Sequence, residues 1–409
     1  VTSTLDLLTG PEAEGILAAA VSALGGELRS CRAGQVDHRP GRGSTVAYDA
    51  QVDWPEHGVR HEVIAASAGL PTDPTSPGVV VVSDGELDVA VWCFPNDPDL
   101  PALASAQDAG AVVALLRDLG APVEEGAAVE LLVRSYRPRR RAVVEVRVTG
   151  EGDLTRALFL KVCRPEAIER VHGRHVLLRD AGVPVPQSWG WTASGLLLLA
   201  ALTGESLRSA VCRDGVAAVD VDDLVGVLDR LPRALVDLPR RRSWTDGVRH
   251  YAGVLTAAVP DEARRIAALA DGIEERSRTD EPVVATHGDF YEAQLLVSGG
   301  RLSGVLDVDT AGPGRRSDDL ACALAHIEVL AQIADRSGDP EGARVLGEVT
   351  ETWLERFDRD PLVEPRSLRA RTAGVLFSLA TGPQRVQETG WPETTSARLD
   401  LVERWVARA

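Results

Sequence analysis

The stretch "HGDFYEAQLLV", His287 to Val297, decides the reading of this chain. His, Gly and Asp stand together immediately before an apolar run that reads as a strand, and a lone amide, Gln294, follows five residues after the Asp. A carboxylate at the mouth of a strand, with an amide oxygen close behind it, suits a site that handles a hydroxyl and a hard cation. Phosphoryl transfer needs few protein groups: a carboxylate beside the acceptor hydroxyl, oxygen ligands for Mg2+, and a cation on the phosphates that stay behind. Asp289 is the candidate base, and Gln294 offers an amide oxygen.

The next segment, "GRLSGVLDVDTAGPG" (Gly300 to Gly314), supplies further oxygens. Asp307 ends the apolar strand "LSGVLD" and can face the same cleft across a hairpin. Asp309 lies two residues on and shares that side if the segment is extended. His287 reads as a buried hydrogen-bonding scaffold for the loop rather than as the base.

The whole chain sets limits on these readings. It has 409 residues, too many for one ordinary core, so two or three lobes are expected. The formal net charge of -17 disfavours nucleic acid and anionic membranes as partners. The five cysteines, Cys31, Cys93, Cys163, Cys212 and Cys322, are scattered and form no CxxC pair, which argues against a zinc knuckle and for a reducing cytoplasm. No basic region followed by an apolar run opens the sequence, and "GLLLLAAL" (Gly195 to Leu202) is too short to span a bilayer. A cytoplasmic location is the expectation.

Residues 1–126 read as a separate N-terminal α/β cap unit. "PEAEGILAAAVSALGG" predicts a helix ending at Gly25–Gly26. "STVAYDAQVDW" alternates as a strand does, and "GVVVVSDGELDVAVWCF" predicts two strands joined by a turn at Asp84–Gly85. "DAGAVVALLRDLGAP" closes the unit as a helix. The loop "FPNDPDLPAL" carries Asp97 and Asp99, read as capping or solvated acids. Residues 127–202 predict strand, strand, strand, helix, strand, strand, a compact α+β lobe. In it "VELLVRSYRPRRRAVVEVRVTG" is a hairpin with a basic bend, "TRALFLKVCRP" a third strand and "EAIERVHGRHVLLRDAG" a helix. Residues 203–409 read as mainly helical, interrupted by the catalytic and metal loops.

Taken in order, "HGDFYEAQLLV", "GRLSGVLDVDTAGPG" and "DDLACALAH" resemble the aminoglycoside phosphotransferase-like family of small-molecule kinases. The resemblance runs from about Val129 to the C-terminus; it is strong at the motifs of the C-terminal lobe and looser in the N-terminal lobe. It implies an α+β, bilobal protein-kinase-like fold, with the cap unit as an addition, and ATP and Mg2+ as cofactors. Carried over by position, Asp289 matches the catalytic Asp and Asp307 the metal-binding Asp. Gln294 falls where a metal-binding Asn is usual, and Asp319 matches a buttress for the loop. Lys161, in "FLKVCRP", matches the lysine that pairs with the α and β phosphates. Glu169, on the following helix, is its expected partner, since His175 occupies the region of the usual Glu. The hinge that would hold adenine through backbone groups falls near Ala200 to Leu202.

Three departures stand out. Gln294 is one methylene longer than Asn, which moves its oxygen by ~1.5 Å. The bend over the phosphates carries arginines instead of glycines, so Arg137, Arg139 or Arg140 is expected to contact the nucleotide. Arg315 stands where an acid is frequent. The resemblance implies transfer of the γ-phosphoryl group to a hydroxyl of a small molecule. The layout of the N-terminal unit is similar to that of maltokinase-like sugar kinases, which points to a sugar or amino sugar. An aminoglycoside antibiotic and a catalytically inactive nucleotide-binding pseudokinase are the alternatives.

Overall fold

The computed structural model describes residues 3–83, 87–124, 126–150 and 155–409. The expected turn at Asp84–Gly85 lies outside them. The chain divides into two compact units: Val1–His172 with Ser188–Ala201 and Gln384–Thr389, and Gly173–Gln187 with Leu202–Pro383 and Gly390–Ala409. The fold is α+β.

The first unit holds two antiparallel sheets of five strands. The first sheet contains β1 (Glu27–Arg39), β2 (Gly43–Trp54), β3 (Gly58–Ala68), β4 (Val79–Ser83) and β5 (Asp88–Cys93), in the order β1-β2-β3-β5-β4. Along β2 the buried side chains Val46, Tyr48, Ala50 and Val52 alternate with more exposed ones, as the sequence predicts. Helices α1 (Thr4–Thr9) and α2 (Glu12–Ala23) lay Leu8, Leu17 and Val21 on that face. Gly25, at φ +89°, ends α2 in a conformation that a side chain would resist. β1 and β3 were not expected. β1 buries one residue, Val36, and the first half of β3 is exposed, so neither carries a clean apolar alternation; cross-strand pairing to β2 holds both.

The second sheet contains β6 (Ala128–Arg137), β7 (Arg141–Thr149), β8 (Thr155–Cys163), β9 (Ser188–Trp191) and β10 (Leu196–Ala200), in the order β6-β7-β8-β10-β9. Helix α3 (Ala109–Asp118) packs Val112 and Leu116 into the core formed by Val144, Val146, Leu160, Val162 and Leu198. On the opposite face, Leu197 and Leu199 pack with Ile168 and Val171 of helix α4 (Pro165–Asp180).

The second unit is mainly helical: α5 (Leu207–Asp214), α6 (Val221–Asp229), α7 (Val248–Ala258), α8 (Ala263–Arg276), α9 (Arg316–Arg336), α10 (Pro340–Phe357), α11 (Pro365–Leu379), α12 (Gly382–Arg385, which ends in the first unit) and α13 (Trp391–Arg408). Its core gathers Phe290, Leu320, Leu324, Trp353, Phe377 and Trp405. Two small sheets interrupt the helices. β11 (Glu205–Ser206), β13 (Leu295–Ser298) and β14 (Arg301–Val305) form one, and β12 (Val284–Thr286) with β15 (Gly312–Gly314) forms the other. No helix among the described residues is long and apolar enough to cross a membrane.

Candidate active site

The HGD loop leaves β12 and is fixed at once by backbone bonding. Asp319, on α9, accepts from the N–H groups of His287 and Gly288, each at 2.7 Å. Thr310 donates its hydroxyl to the His287 carbonyl at 2.8 Å. The His287 ring lies 2.9 Å from the Leu306 carbonyl through Nε2 and 3.3 Å from the Asp289 N–H through Nδ1. The carbonyl requires a proton on Nε2 and the N–H requires a lone pair on Nδ1, so the geometry assigns one neutral tautomer. With both nitrogens engaged, His287 is a scaffold and has no nitrogen left to act as base. Gly288 sits at φ +83°, and a Cβ there would lie 2.8 Å from the Thr310 carbonyl oxygen.

Leu306 ties three segments together. Its N–H donates to the Gln294 carbonyl at 2.7 Å, and its own carbonyl meets the His287 ring. Leu295 pairs with Val305 in the β13–β14 ladder. The ladder therefore brings Gln294 beside Leu306 and its neighbour Asp307. Asp307 is left-handed, at φ 51° and ψ 51°, a costly conformation for a residue with a side chain, and such strain concentrates at working sites. Arg174 of α4 holds the loop beyond it by donating from Nε to the Ala311 carbonyl at 2.8 Å.

Helix α9 supports the loop at three levels. Asp319, Cys322 and His326 are spaced by three and four residues and so share a face. Asp319 takes the two N–H groups, Cys322 Sγ lies 4.0 Å from Asp289 Oδ1, and the His326 ring stacks on Tyr291 with centroids 3.9 Å apart. Burial pushes the Asp319 carboxyl up to about 7, against the pull of the two N–H donors. It also raises the Cys322 thiol well above its usual range, with the Asp289 charge adding to the effect. The sequence marked Asp319 alone. The i, i+3, i+7 spacing of Asp319, Cys322 and His326 within the apolar stretch Leu320–Ile327 was the signal for the other two.

In the first unit, Lys161 is buried on β8 between Leu160 and Val162, which face the opposite side of the sheet. It pairs in register with Leu197, whose side chain packs toward α4. The alternation of the strand thus turns the one lysine away from the main core of its sheet. Ala200 ends β10, and the chain passes from the first unit to the second between Ala201 and Leu202, within the expected hinge.

Glu169 is exposed on α4, while Ile168, Val171 and His175 of that helix are buried. One sequence expectation is corrected. Arg139 is buried, not poised for a nucleotide. Its Nε and Nη2 donate to Asp99 at 3.1 and 3.3 Å, Nη1 to Ser67 at 3.0 Å, and Nη2 to the Pro71 carbonyl at 2.5 Å. All three guanidinium nitrogens are used within the first unit. Its backbone N–H donates to Asp97 at 2.7 Å, and Tyr136 donates its hydroxyl to the same carboxyl at 2.8 Å. Burial raises the pKa of Asp97. The two loop acids are therefore the clamp of the hairpin bend, a role that the sequence did not disclose. Arg137, at the start of the bend, is half-buried.

A sequence model described as the phosphotransferase enzyme family matches residues 139–362, more than half of the chain. The chain belongs to the phosphotransferase enzyme family. Comparison with curated proteins gave no match. Among solved structures, this phosphotransferase is similar to a thermostable mutant of aminoglycoside phosphotransferase APH(4)-Ia in its apo form. The TM-score is 0.51 at 16% identity, over 71% of this chain and 97% of the other. It is also similar to a variant of that protein in ternary complex with ADP and hygromycin B, with a TM-score of 0.50 at 15% identity over 72% and 97% of the two chains. Macrolide 2'-phosphotransferase MphH from Brachybacterium faecium matches at 20% identity and a TM-score of 0.39, over 71% and 97%.

Among the described residues, no group of three or more His, Cys, Asp or Glu side chains forms a metal site by itself. The oxygens that the sequence reading offers, the Gln294 amide and the Asp307 carboxylate, stand at the two ends of the β13–β14 hairpin. Mg2+ suits such a partial set, since it is bound through one or two protein oxygens together with phosphate oxygens and water.

Proposed function

We propose that this phosphotransferase moves the γ-phosphoryl group of ATP to a hydroxyl of a small molecule, a sugar or amino sugar, with Mg2+. The observation that carries this is the HGD loop, whose backbone is held by Asp319 and Thr310 and whose His287 ring is held by the Leu306 carbonyl, so that Asp289 sits on a braced support. Asp289 would orient the acceptor hydroxyl and take its proton as transfer proceeds. Gln294 Oε1 and the Asp307 carboxylate would hold Mg2+, which when bound offsets charge on the phosphate oxygens. Lys161 would pair with the α and β phosphates. Backbone groups from Ala200 to Leu202 would meet the adenine. Arg137 is the bend residue that would contact the nucleotide.

The sugar reading is supported by the N-terminal sheet, which has its own core ahead of the family-matched region. A second reading, an aminoglycoside-type acceptor, is supported by the similar protein that holds ADP and hygromycin B together and by the acidic character of this chain. The test is ATP consumption with Mg2+ against sugars, amino sugars, aminoglycosides and amino alcohols, with Asp289→Asn alongside. Turnover that requires one acceptor class and falls by at least ~100-fold in the variant is the expected result. Nucleotide binding without turnover on any acceptor would favour the pseudokinase reading instead.

A further inference from the structure

Gln294 does not stand alone in its loop. Residues Glu292–Gln294 form a 3-10 turn in which the Gln294 N–H donates to the Tyr291 carbonyl at 2.9 Å. Positions i and i+3 eclipse in such a turn, so Tyr291 and Gln294 extend on the same side. There the Gln294 side-chain nitrogen donates to the Tyr291 hydroxyl at 2.9 Å. An amide that spends its nitrogen on a fixed partner presents its oxygen in the other direction. The Tyr291 ring is fixed in turn. It stacks on His326 at 3.9 Å between centroids and 22° between planes. His326 Nδ1 lies 3.9 Å from Oε2 of fully buried Glu292, whose other oxygen accepts from Arg208 Nε at 2.8 Å.

We propose that Tyr291 is a positioning residue for the metal ligand Gln294, and that His326 of α9 is the platform that holds Tyr291 in place. The inference rests on the reading of Gln294 as a ligand of Mg2+ and adds what makes a glutamine serviceable there. A glutamine has one more rotatable bond than an asparagine and loses more freedom when its oxygen is fixed. The tyrosine hydroxyl removes that freedom before any ion arrives. Outer-shell partners of this kind typically change metal affinity by roughly 10- to 100-fold when removed.

The test uses the full chain and Mn2+ as the probe. Free Mn2+ is counted by electron paramagnetic resonance in the presence of a non-hydrolysable ATP analogue, and nucleotide affinity is measured separately without metal. Tyr291→Phe is expected to weaken Mn2+ binding by roughly 10-fold or more, with metal-free nucleotide affinity unchanged. His326→Ala, which leaves every atom of Tyr291 and Gln294, is expected to move Mn2+ affinity in the same direction, and His326→Phe, which keeps a ring to stack on, to restore most of it. If Gln294→Ala weakens Mn2+ binding but Tyr291→Phe and His326→Ala do not, the positioning role is overturned and the ligand stands. If Gln294→Ala itself leaves Mn2+ affinity unchanged, the ligand assignment falls and the inference with it.

Discussion

One carboxylate, that of Asp319, accepts hydrogen bonds at 2.7 Å from the successive backbone N–H groups of His287 and Gly288. Each oxygen serves one donor. Asp319→Asn keeps the shape but offers one oxygen, and sets an N–H2 group against the second N–H. A buried donor left unsatisfied costs about 1–3 kcal/mol. Chemical denaturation should show a loss of that order. Turnover should fall further than stability, because the misplaced N–H belongs to the residues that aim Asp289. Unchanged turnover in a folded Asp319→Asn protein would remove the buttress from the mechanism.

The same residue makes stability depend on pH. Its carboxyl ordinarily titrates near 3.8 and is pushed up to about 7 by burial. The folded chain therefore binds this proton more tightly than the unfolded chain. The contribution is fully present below about pH 4 and is lost as pH rises to about 7, with a slope of at most ~1.4 kcal/mol per pH unit. Unfolding free energies measured from pH 4 to 8 should show a falling component in the wild type that Asp319→Asn lacks.

Gly288 is a crowded backbone position of the loop. At φ +83°, with Thr310 O only 2.8 Å from where a Cβ would lie, Gly288→Ala meets both backbone strain and a clash with main chain. Strain of this kind costs about 1–3 kcal/mol. The expected result is a folded but weakened protein whose kcat drops by at least ~10-fold while metal-free nucleotide affinity holds. A normal kcat would mean that the loop tolerates a shift at its centre.

Arg139 separates a structural arginine from a phosphate-binding one. Arg139→Ala strips donors from Asp99, Ser67 and the Pro71 carbonyl and leaves the half-buried Asp99 short of a partner. A lost hydrogen bond to a charged group costs about 1.5–3 kcal/mol. Arg164 Nη2, 2.5 Å from Asp99, offsets part of this. The melting temperature should fall clearly, while the KM for ATP in the folded fraction stays near the wild-type value. A raised KM with normal stability would return Arg139 to the nucleotide.

Much of the site could be read along the chain because its pieces are local. The alternation of β2, the helix end at Gly25, the HGD loop and the Asp that closes "LSGVLD" each occupy a few consecutive residues. Backbone bonding and burial impose periods of two and 3.6 on such stretches, so the pattern carries the structure. The chain itself therefore determined the α+β class, the hairpin that follows the HGD loop, and the strand β8 that carries Lys161. Only the tertiary structure decided that Arg139 turns into Ser67, Pro71 and Asp99, up to 72 residues away, instead of outward to a phosphate. Packing likewise put Glu169 on the outer face of α4, and lined up Asp319, Cys322 and His326 behind the loop that holds Tyr291 and Gln294. A charged or polar side chain takes whichever partner the fold brings within about 3 Å, and that partner leaves no mark in the residues beside it.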